Sequence, residues 1–202
     1  MSNNDKKTYV LHHVTDDKNT KAIEKNGLTA GMICSEANMA GCSDDLHEIE
    51  EMNDEHRARI VFNDLLRYNK IDKEHPDHDY GNFFWSDDMT ARYHRKAMDH
   101  KNPVTRYRIV QVYAPKIPCT CYESDFQKAE DLFQYVLDNI DDLERINNTG
   151  AEDENDKNIE RRADKLALNY YKSMKKWTGK SDGDKEIICP CDIPKKSIVR
   201  IV

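Results

Sequence analysis

Apolar and polar residues are arranged along this chain in two kinds of pattern, and the strand pattern occurs near its start, middle and end. The clearest strand segments are TYVLHHV (Thr8 to Val14), VTRYRIVQVYAP (Val104 to Pro115) and the EII that begins at Glu186. β-Branched and aromatic residues favour strands, and a proline such as Pro115 ends them. The aromatic run NFFWS predicts a fourth strand, and the closing CDIPKKSIVRIV predicts a turn and a last strand.

Helical patterns fill the first half of the chain between these strands. NTKAIEKNG predicts a short helix that ends at Gly27, because glycine readily adopts the left-handed conformation found at helix C-termini. From Leu46 to Lys70, apolar residues recur at roughly helical intervals among charges, which predicts a long polar helix. DDMTARYHRKAMDH predicts another helix, with Asp87 or Asp88 capping its first N–H groups.

The second half of the chain is mainly helical in pattern. SDFQ (Ser124 to Gln127) fits a capping box, and an apolar stripe at helical spacing follows from Ala129 to Leu143. NNTGAEDENDKN predicts a surface loop, after which a last helix extends to Trp177. Strands at the start, middle and end, with helices between them, predict a single α+β domain over residues 1–202.

The composition narrows the classes of function. Of the 202 residues, 38% are hydrophobic and 34% are charged, and the net charge is -7. Proteins that coat nucleic acid or bind anionic membranes need a broad basic face, so this charge argues against both classes. No apolar stretch is long enough to span a bilayer, and MSNNDKKTYV lacks the apolar core of a secretory signal. We therefore expect a cytoplasmic protein without a membrane partner.

The cysteines have two interpretations. Because cytoplasmic proteins rarely keep disulfides, we expect free thiols rather than a disulfide framework. The two C-x-C pairs also suggest zinc, since residues i and i+2 of a strand point to the same face and would offer two thiolates to one ion. Structural zinc sites more often have two or more residues between paired cysteines, so we expect no metal site. The zinc alternative would use Cys119, Cys121, Cys189 and Cys191.

Three short segments carry residues suited to ligand chemistry. In LHHVT, His13 and Thr15 are two residues apart along a strand, so the His13 ring nitrogens and the Thr15 hydroxyl face the same side. The segment GNFFWSDDMTARYH places an aromatic strand before Tyr93, whose ring would suit a planar heterocycle. Glu186 adds a carboxylate at the head of a strand. Each residue alone is more often structural, and for the neighbouring His12 we expect a purely structural role.

The order of these segments resembles the ADP-ribosyltransferase superfamily, in the His-Tyr-Glu branch that includes diphtheria-toxin-like and poly-ADP-ribose-polymerase-like enzymes. In that branch, a His followed one residue later by Thr or Ser opens the fold. A G-x-[YF]-F-type strand then leads into a helix with a second aromatic, and a Glu begins a strand near the end. The matching residues here are His13 and Thr15, then GNFF ending at Phe84 with Tyr93, then Glu186. The resemblance covers the two ends and a central block, and it implies a split β-sheet core with inserted helices.

The resemblance also implies that the substrate is NAD. It implies that His13 hydrogen-bonds the adenosine ribose, that Thr15 helps to hold the nicotinamide side and that Tyr93 stacks on the nicotinamide ring. Cleavage of the ribose–nicotinamide bond develops positive charge on the sugar, so a fixed carboxylate such as that of Glu186 stabilises the transition state. ADP-ribose would then pass to a macromolecular acceptor, either protein or nucleic acid.

This chain also departs from the family pattern. FFW replaces the commoner Tyr-containing strand. The residue that makes the second nicotinamide contact is therefore not assigned, and the candidates are Phe83, Phe84 and Ser86. Two residues before the glutamate stands Asp184, where arginine-directed transferases carry Glu and some others Gln, so the resemblance does not imply the acceptor. Toxin, effector and defence roles all fit.

Two further interpretations keep the same fold. An RNA 2′-phosphotransferase would also use NAD, although basic residues for a phosphate are not evident in matching places. A catalytically silent binding module would bind NAD without releasing nicotinamide.

Overall fold

The computed structural model describes residues 10–32, 54–71, 73–76, 80–101, 103–179 and 185–202. Within these ranges the protein is a mixed α/β structure with a mostly antiparallel sheet, which confirms the α+β class. The strands are β1 (Val10–Asp16), β2 (Gly27–Leu28), β3 (Gly31–Met32), β4 (Tyr80–Trp85), β5 (Tyr107–Tyr113), β6 (Tyr122–Asp125), β7 (Lys175–Lys176), β8 (Lys185–Cys189), β9 (Ile193–Pro194) and β10 (Ile198–Ile201). The helices are α1 (Thr20–Asn26), α2 (Asp54–Tyr68), α3 (Asp88–Lys101), α4 (Phe126–Asp138), α5 (Ile140–Thr149) and α6 (Glu154–Ser173).

The main sheet places distant parts of the chain side by side. Its strands follow the order β10-β5-β1-β4-β8-β6-β7, and β2 pairs separately with β9. The pairings of β1 with β5, β1 with β4, and β4 with β8 are all antiparallel. The strands that carry the three ligand-suited segments, β1, β4 and β8, are therefore consecutive neighbours in the sheet.

The chain divides into two compact units. Unit 1 contains the described residues within Met1–Ala30, Gly81–Glu123 and Lys176–Val202, and unit 2 contains those within Gly31–Tyr80 and Ser124–Lys175. Neither unit is contiguous in sequence, because the chain returns to unit 1 twice. The single domain expected over residues 1–202 stays a prediction.

The core of unit 1 covers one face of its sheet. Apolar side chains from β1, β4, β5 and β8 pack there with side chains from α1, β2 and β9. Burial of such side chains is the main favourable term in folding, at about 25 cal/mol per Å² of apolar surface. The members of this cluster are Leu11, Ile23, Leu28, Phe84, Val110, Val112, Cys121, Ile187, Cys189 and Ile193.

Helix ends in unit 1 agree with the expected signals. Gly27 follows α1 with a φ of 93°, in the region that favours glycine. At the start of α3, the Asp87 carboxylate accepts a hydrogen bond of 2.8 Å from the Thr90 backbone N–H. Asp87 is thus the capping residue of the two aspartates considered.

In unit 2, α4, α5 and α6 differ from the predicted helices at several points. The capping box predicted at Ser124 to Gln127 is wrong, because Ser124 lies in β6 and the helix begins at Phe126 without a side-chain cap. The apolar stripe belongs to two helices rather than one, with a break at Asn139. The last helix ends at Ser173, before Trp177. Of the helix predicted from Leu46 to Lys70, residues 46–53 lie outside the described residues.

Candidate functional site

A row of polar and aromatic side chains crosses one face of the unit 1 sheet. Directly opposed residues of antiparallel strands have their side chains on the same face. Glu186 in β8 pairs with Trp85 in β4, and Trp85 pairs with His12 in β1. His12 pairs in turn with Gln111, whose Oε1 accepts a hydrogen bond of 2.7 Å from Arg200 Nε in β10. We call these five residues the Glu186 row.

Glu186 stands at one end of this row, near the start of β8. It is only 9% exposed, so its carboxyl group is largely removed from bulk water. One strand, β4, separates it from His12, which corresponds to a backbone distance of about 10 Å at the usual interstrand spacing. Groups at this separation would contact opposite parts of one extended ligand rather than each other.

The first half of α3 packs against the same face. Asp88 Oδ1 lies 3.7 Å from His12 Nε2, and the His94 and Trp85 rings have their centroids 5.4 Å apart. Asp88 also accepts a hydrogen bond of 2.5 Å from Arg92 Nε. The Glu186 row and the first half of α3 therefore place the Glu186 carboxyl group, the His12 ring and the arginine-bound Asp88 carboxylate on one face of the sheet.

The predicted residues His13, Thr15 and Phe84 lie on the opposite face. The His13 Nδ1 atom lies 2.8 Å from the Phe83 carbonyl oxygen. We therefore assign the ring proton to Nδ1, which donates a hydrogen bond to that carbonyl. Its ring centroid is 5.7 Å from that of Phe84, which is 1% exposed and belongs to the apolar core. Thr15 is buried and accepts a long hydrogen bond, 3.4 Å, from Asn19 Nδ2. The structure brings these three residues together but separates them from Glu186 by the thickness of the sheet.

Tyr93 and Ser86 occupy two further positions. Tyr93 is 77% exposed on α3, so its ring is open to solvent. Ser86 is half-buried and directly follows β4, one residue after Trp85. Neither residue belongs to the Glu186 row: Ser86 lies between β4 and α3, and Tyr93 lies within α3.

Burial controls the protonation of both histidines. Loss of solvent lowers the pKa of His12 below its ordinary value, and the nearby Asp88 carboxylate partly opposes this shift. Burial likewise lowers the pKa of His13, opposed by the hydrogen bond to the Phe83 carbonyl. The hydrogen bond from Arg92 lowers the pKa of Asp88. At neutral pH the neutral His12 imidazole therefore lies beside the ionised Asp88 carboxylate. A neutral imidazole can donate a hydrogen bond to a ligand hydroxyl or accept one from it.

The expectation of free thiols is wrong for four cysteines. Cys119 forms a disulfide with Cys191, and Cys121 forms one with Cys189. The two C-x-C motifs are visible in the sequence, but which cysteines pair depends on how the two segments lie beside each other in the fold. Cys34 and Cys42 lie outside the described residues. No group of three or more histidine, cysteine or acidic residues suited to a metal occurs in the described part of the chain.

Sequence reasoning also missed the position of His12. The strand pattern shows that His12 and His13 point to opposite faces, but not which of them shares a face with Glu186. That choice depends on the pairing of β1 with β4 and of β4 with β8, which no local signal specifies.

Comparison with known proteins gives no relative: no family model, curated protein or solved structure matches this chain. Among the helices of the described ranges, none is both long and apolar enough to cross a membrane.

Proposed function

We propose that this chain is an NAD-dependent mono-ADP-ribosyltransferase in which Glu186 is the catalytic carboxylate. The supporting observation is the adjacency of β1, β4 and β8 in the sheet. Each strand carries one of the three segments on which the resemblance depends, and the chain between them is long. Chance matches to three short motifs would have no reason to lie on consecutive strands, so this adjacency favours a common site.

The proposed reaction makes direct use of a buried carboxylate. The bond between the ribose anomeric carbon and nicotinamide breaks, nicotinamide leaves with the electron pair, and an oxygen or nitrogen of the acceptor bonds to that carbon and loses a proton. Positive charge develops on the ribose between these events. The Glu186 carboxylate would stabilise this charge and bind the ribose 2′-hydroxyl, and its small exposure limits screening by water.

The register of the sheet bears on which histidine contacts NAD. His13 fits the sequence motif, but it faces the apolar core. His12 shares a face with Glu186 and lies about 10 Å from it, a separation suited to two ends of an extended dinucleotide. This geometry favours His12 for the ribose contact, with Tyr93 on α3 as the exposed aromatic available to stack on the nicotinamide ring.

The first test is nicotinamide release from NAD, with and without cell lysate as a source of acceptor. We expect release by the wild-type protein and a loss of about 10²–10³-fold in Glu186→Gln, as is typical when one transition-state contact is removed. Glu123→Gln is the matched control, because Glu123 is another buried glutamate of unit 1. It should keep activity within about tenfold of the wild type. Equal losses in both variants would show that Glu186 has only a structural role.

The histidine assignment is tested with His12→Asn and His13→Asn. If His12 binds NAD, its replacement raises the KM for NAD by about tenfold, the cost of one hydrogen bond to a ligand. The His13 variant should instead lower thermal stability and leave KM nearly unchanged, because the His13 ring packs against the buried Phe84 and hydrogen-bonds the Phe83 carbonyl on the face opposite Glu186. The reverse pattern would return the ribose contact to His13.

A catalytically silent binding module is the second candidate. The observation that favours it is the position of His13 and Phe84 on the face opposite Glu186, where Phe84 belongs to the apolar core. Under this alternative, calorimetry detects NAD binding to the wild-type protein while no nicotinamide is released in any lysate. Release that depends on Glu186 excludes it.

A further inference from the structure

The four paired cysteines form a ladder between two segments of unit 1. The sequence separations are 72 for Cys119–Cys191 and 68 for Cys121–Cys189. The second disulfide is therefore nested inside the first, two residues further in at each end. One side of the ladder precedes β6, and the other is the end of β8 with the residue that follows Pro190.

The two disulfides differ in their access to solvent. Cys121 is 7% exposed and Cys189 is 0% exposed, and both belong to the apolar core of unit 1. Cys119 and Cys191 are half-buried and pack against the margin of that core. Pro118 and Thr120, which flank Cys119 in the sequence, are exposed. A small reagent in solution can thus approach the outer disulfide, whereas the inner one requires the core to open.

We propose that Cys119–Cys191 is a site of reversible thiol–disulfide exchange with soluble dithiols, and that Cys121–Cys189 is a protected structural link. In the exchange, a thiolate of the dithiol attacks one cysteine sulfur and breaks the protein disulfide, which gives a mixed disulfide. The second thiol of the reagent then displaces the remaining protein thiol. The protein gains two electrons and two protons, and the reagent becomes a cyclic disulfide.

Hydrogen bonds hold the outer cysteine backbone in place when its disulfide is open. The Cys191 N–H donates to the Cys189 carbonyl at 2.8 Å, and Asn82 Nδ2 donates to the Cys191 carbonyl at 2.9 Å. On the other side of the ladder, the Trp177 N–H donates to the Cys121 carbonyl at 2.9 Å. With the inner disulfide still closed, the two outer thiols should remain near each other, so an oxidant can rejoin them.

The test is graded reduction of the whole purified protein with dithiothreitol. Thiols are alkylated at timed intervals, and mass spectrometry of peptides follows each cysteine separately. We expect Cys119 and Cys191 to become alkylated at least tenfold faster than Cys121 and Cys189 in the native protein. In denaturant the two pairs should react at similar rates, because the difference arises from burial. Removal of dithiothreitol and addition of oxidised glutathione should restore the outer pair.

Three results would overturn the proposal. The first is equal reduction of both pairs in the native protein, and the second is faster reduction of the inner pair. The third is a purified protein whose four thiols stay reduced after treatment with oxidised glutathione. In that case elemental analysis would find one zinc ion bound per chain. The variant Cys119→Ser/Cys191→Ser provides an independent check, since it should fold and keep the slow reduction of Cys121–Cys189 unchanged.

Discussion

Among individual residues, Gly27 shows most directly how a backbone conformation depends on its neighbours. Its φ of 93° is one that side chains rarely adopt. A Cβ atom at this position would overlap the Ile193 carbonyl oxygen and approach the Lys195 nitrogen to 2.9 Å. The close approach is required because Gly27 pairs with Pro194 in the small sheet formed by β2 and β9. Both the positive φ and the close approach of the β9 backbone therefore require glycine at this position.

We predict that Gly27→Ala destabilises the protein more than Gly150→Ala. Gly150 has a similar φ of 84° but no atom within 4 Å of an added Cβ, so its replacement costs only the backbone strain of about 1–3 kcal/mol. Steric overlap at Gly27 should add about 1–3 kcal/mol. Thermal melts followed by far-ultraviolet circular dichroism measure both variants. Equal shifts in melting temperature would mean that β9 moves away without cost.

Among the helices of unit 2, α5 and α6 are joined by an ion pair between the exposed Arg145 and the buried Asp156. Arg145 donates to the two Asp156 carboxylate oxygens at 2.7 and 2.8 Å, and the Glu152 N–H donates to the same carboxylate at 3.1 Å. Asp153 caps α6 by accepting a hydrogen bond from the Asp156 N–H at 2.8 Å. The hydrogen bonds from Arg145 are the main reason that the pKa of the Asp156 carboxyl group falls from 3.8 to about 2. A buried charge is tolerated here because each of its oxygens has a donor.

We predict an acid-dependent loss of stability that originates at Asp156. Because its pKa is lower in the folded state, its contribution is complete above pH 3.8 and is lost as the pH falls through about 2. Asp156→Asn should be less stable than the wild type at pH 7 and should lose less stability between pH 4 and pH 2. Urea unfolding at several pH values measures this difference.

Asp138→Asn is the control for that experiment, because Asp138 is an exposed aspartate of α4 that also accepts a side-chain hydrogen bond, from Gln134 at 2.7 Å. Its acid profile should follow that of the wild type. A profile for Asp156→Asn that also follows the wild type would exclude the ion pair as the source of the acid sensitivity.

In the molecule as a whole, the two disulfides found among the described residues both lie in one compact unit. Both disulfides connect segments of unit 1. In the loop-entropy description, the first link closes 72 residues and contributes about 4 kcal/mol. The second link adds little loop entropy, because the loop that it closes is already nested within the first.

We predict that loss of both disulfides loosens unit 1 selectively. In the fourfold Cys→Ser variant, amide hydrogen exchange should accelerate in β5 and β8, whose apolar side chains share a core with Cys121 and Cys189. Amides in α4, α5 and α6 should keep their wild-type exchange rates, because those helices belong to unit 2. Faster exchange in all of these elements would show that the two units unfold together.

Local sequence signals were sufficient for most secondary structure. The predicted strands at Val104 to Pro115 and around NFFWS correspond to β5 and β4, and the short helix before Gly27 corresponds to α1. β-Branched runs, caps and glycine act over a few residues, so these signals can be read from the chain directly. One error arose where a non-local contact prevailed, since Ser124 lies in β6 of the main sheet and not at a helix cap.

The sequence by itself determined the α+β class, the main strands, the alternation of His12 and His13 across β1, and the presence of Glu186 in a strand near the end of the chain. The tertiary structure alone decided that β1, β4 and β8 are neighbours, that His12 rather than His13 shares a face with Glu186, and that the cysteines pair as they do. The physical reason is the range of the interactions involved. Alternation along a strand is a local property, whereas a shift of one residue in register exchanges every side chain between the two faces. Register between distant strands is fixed by the packing of the whole core, which no short segment contains.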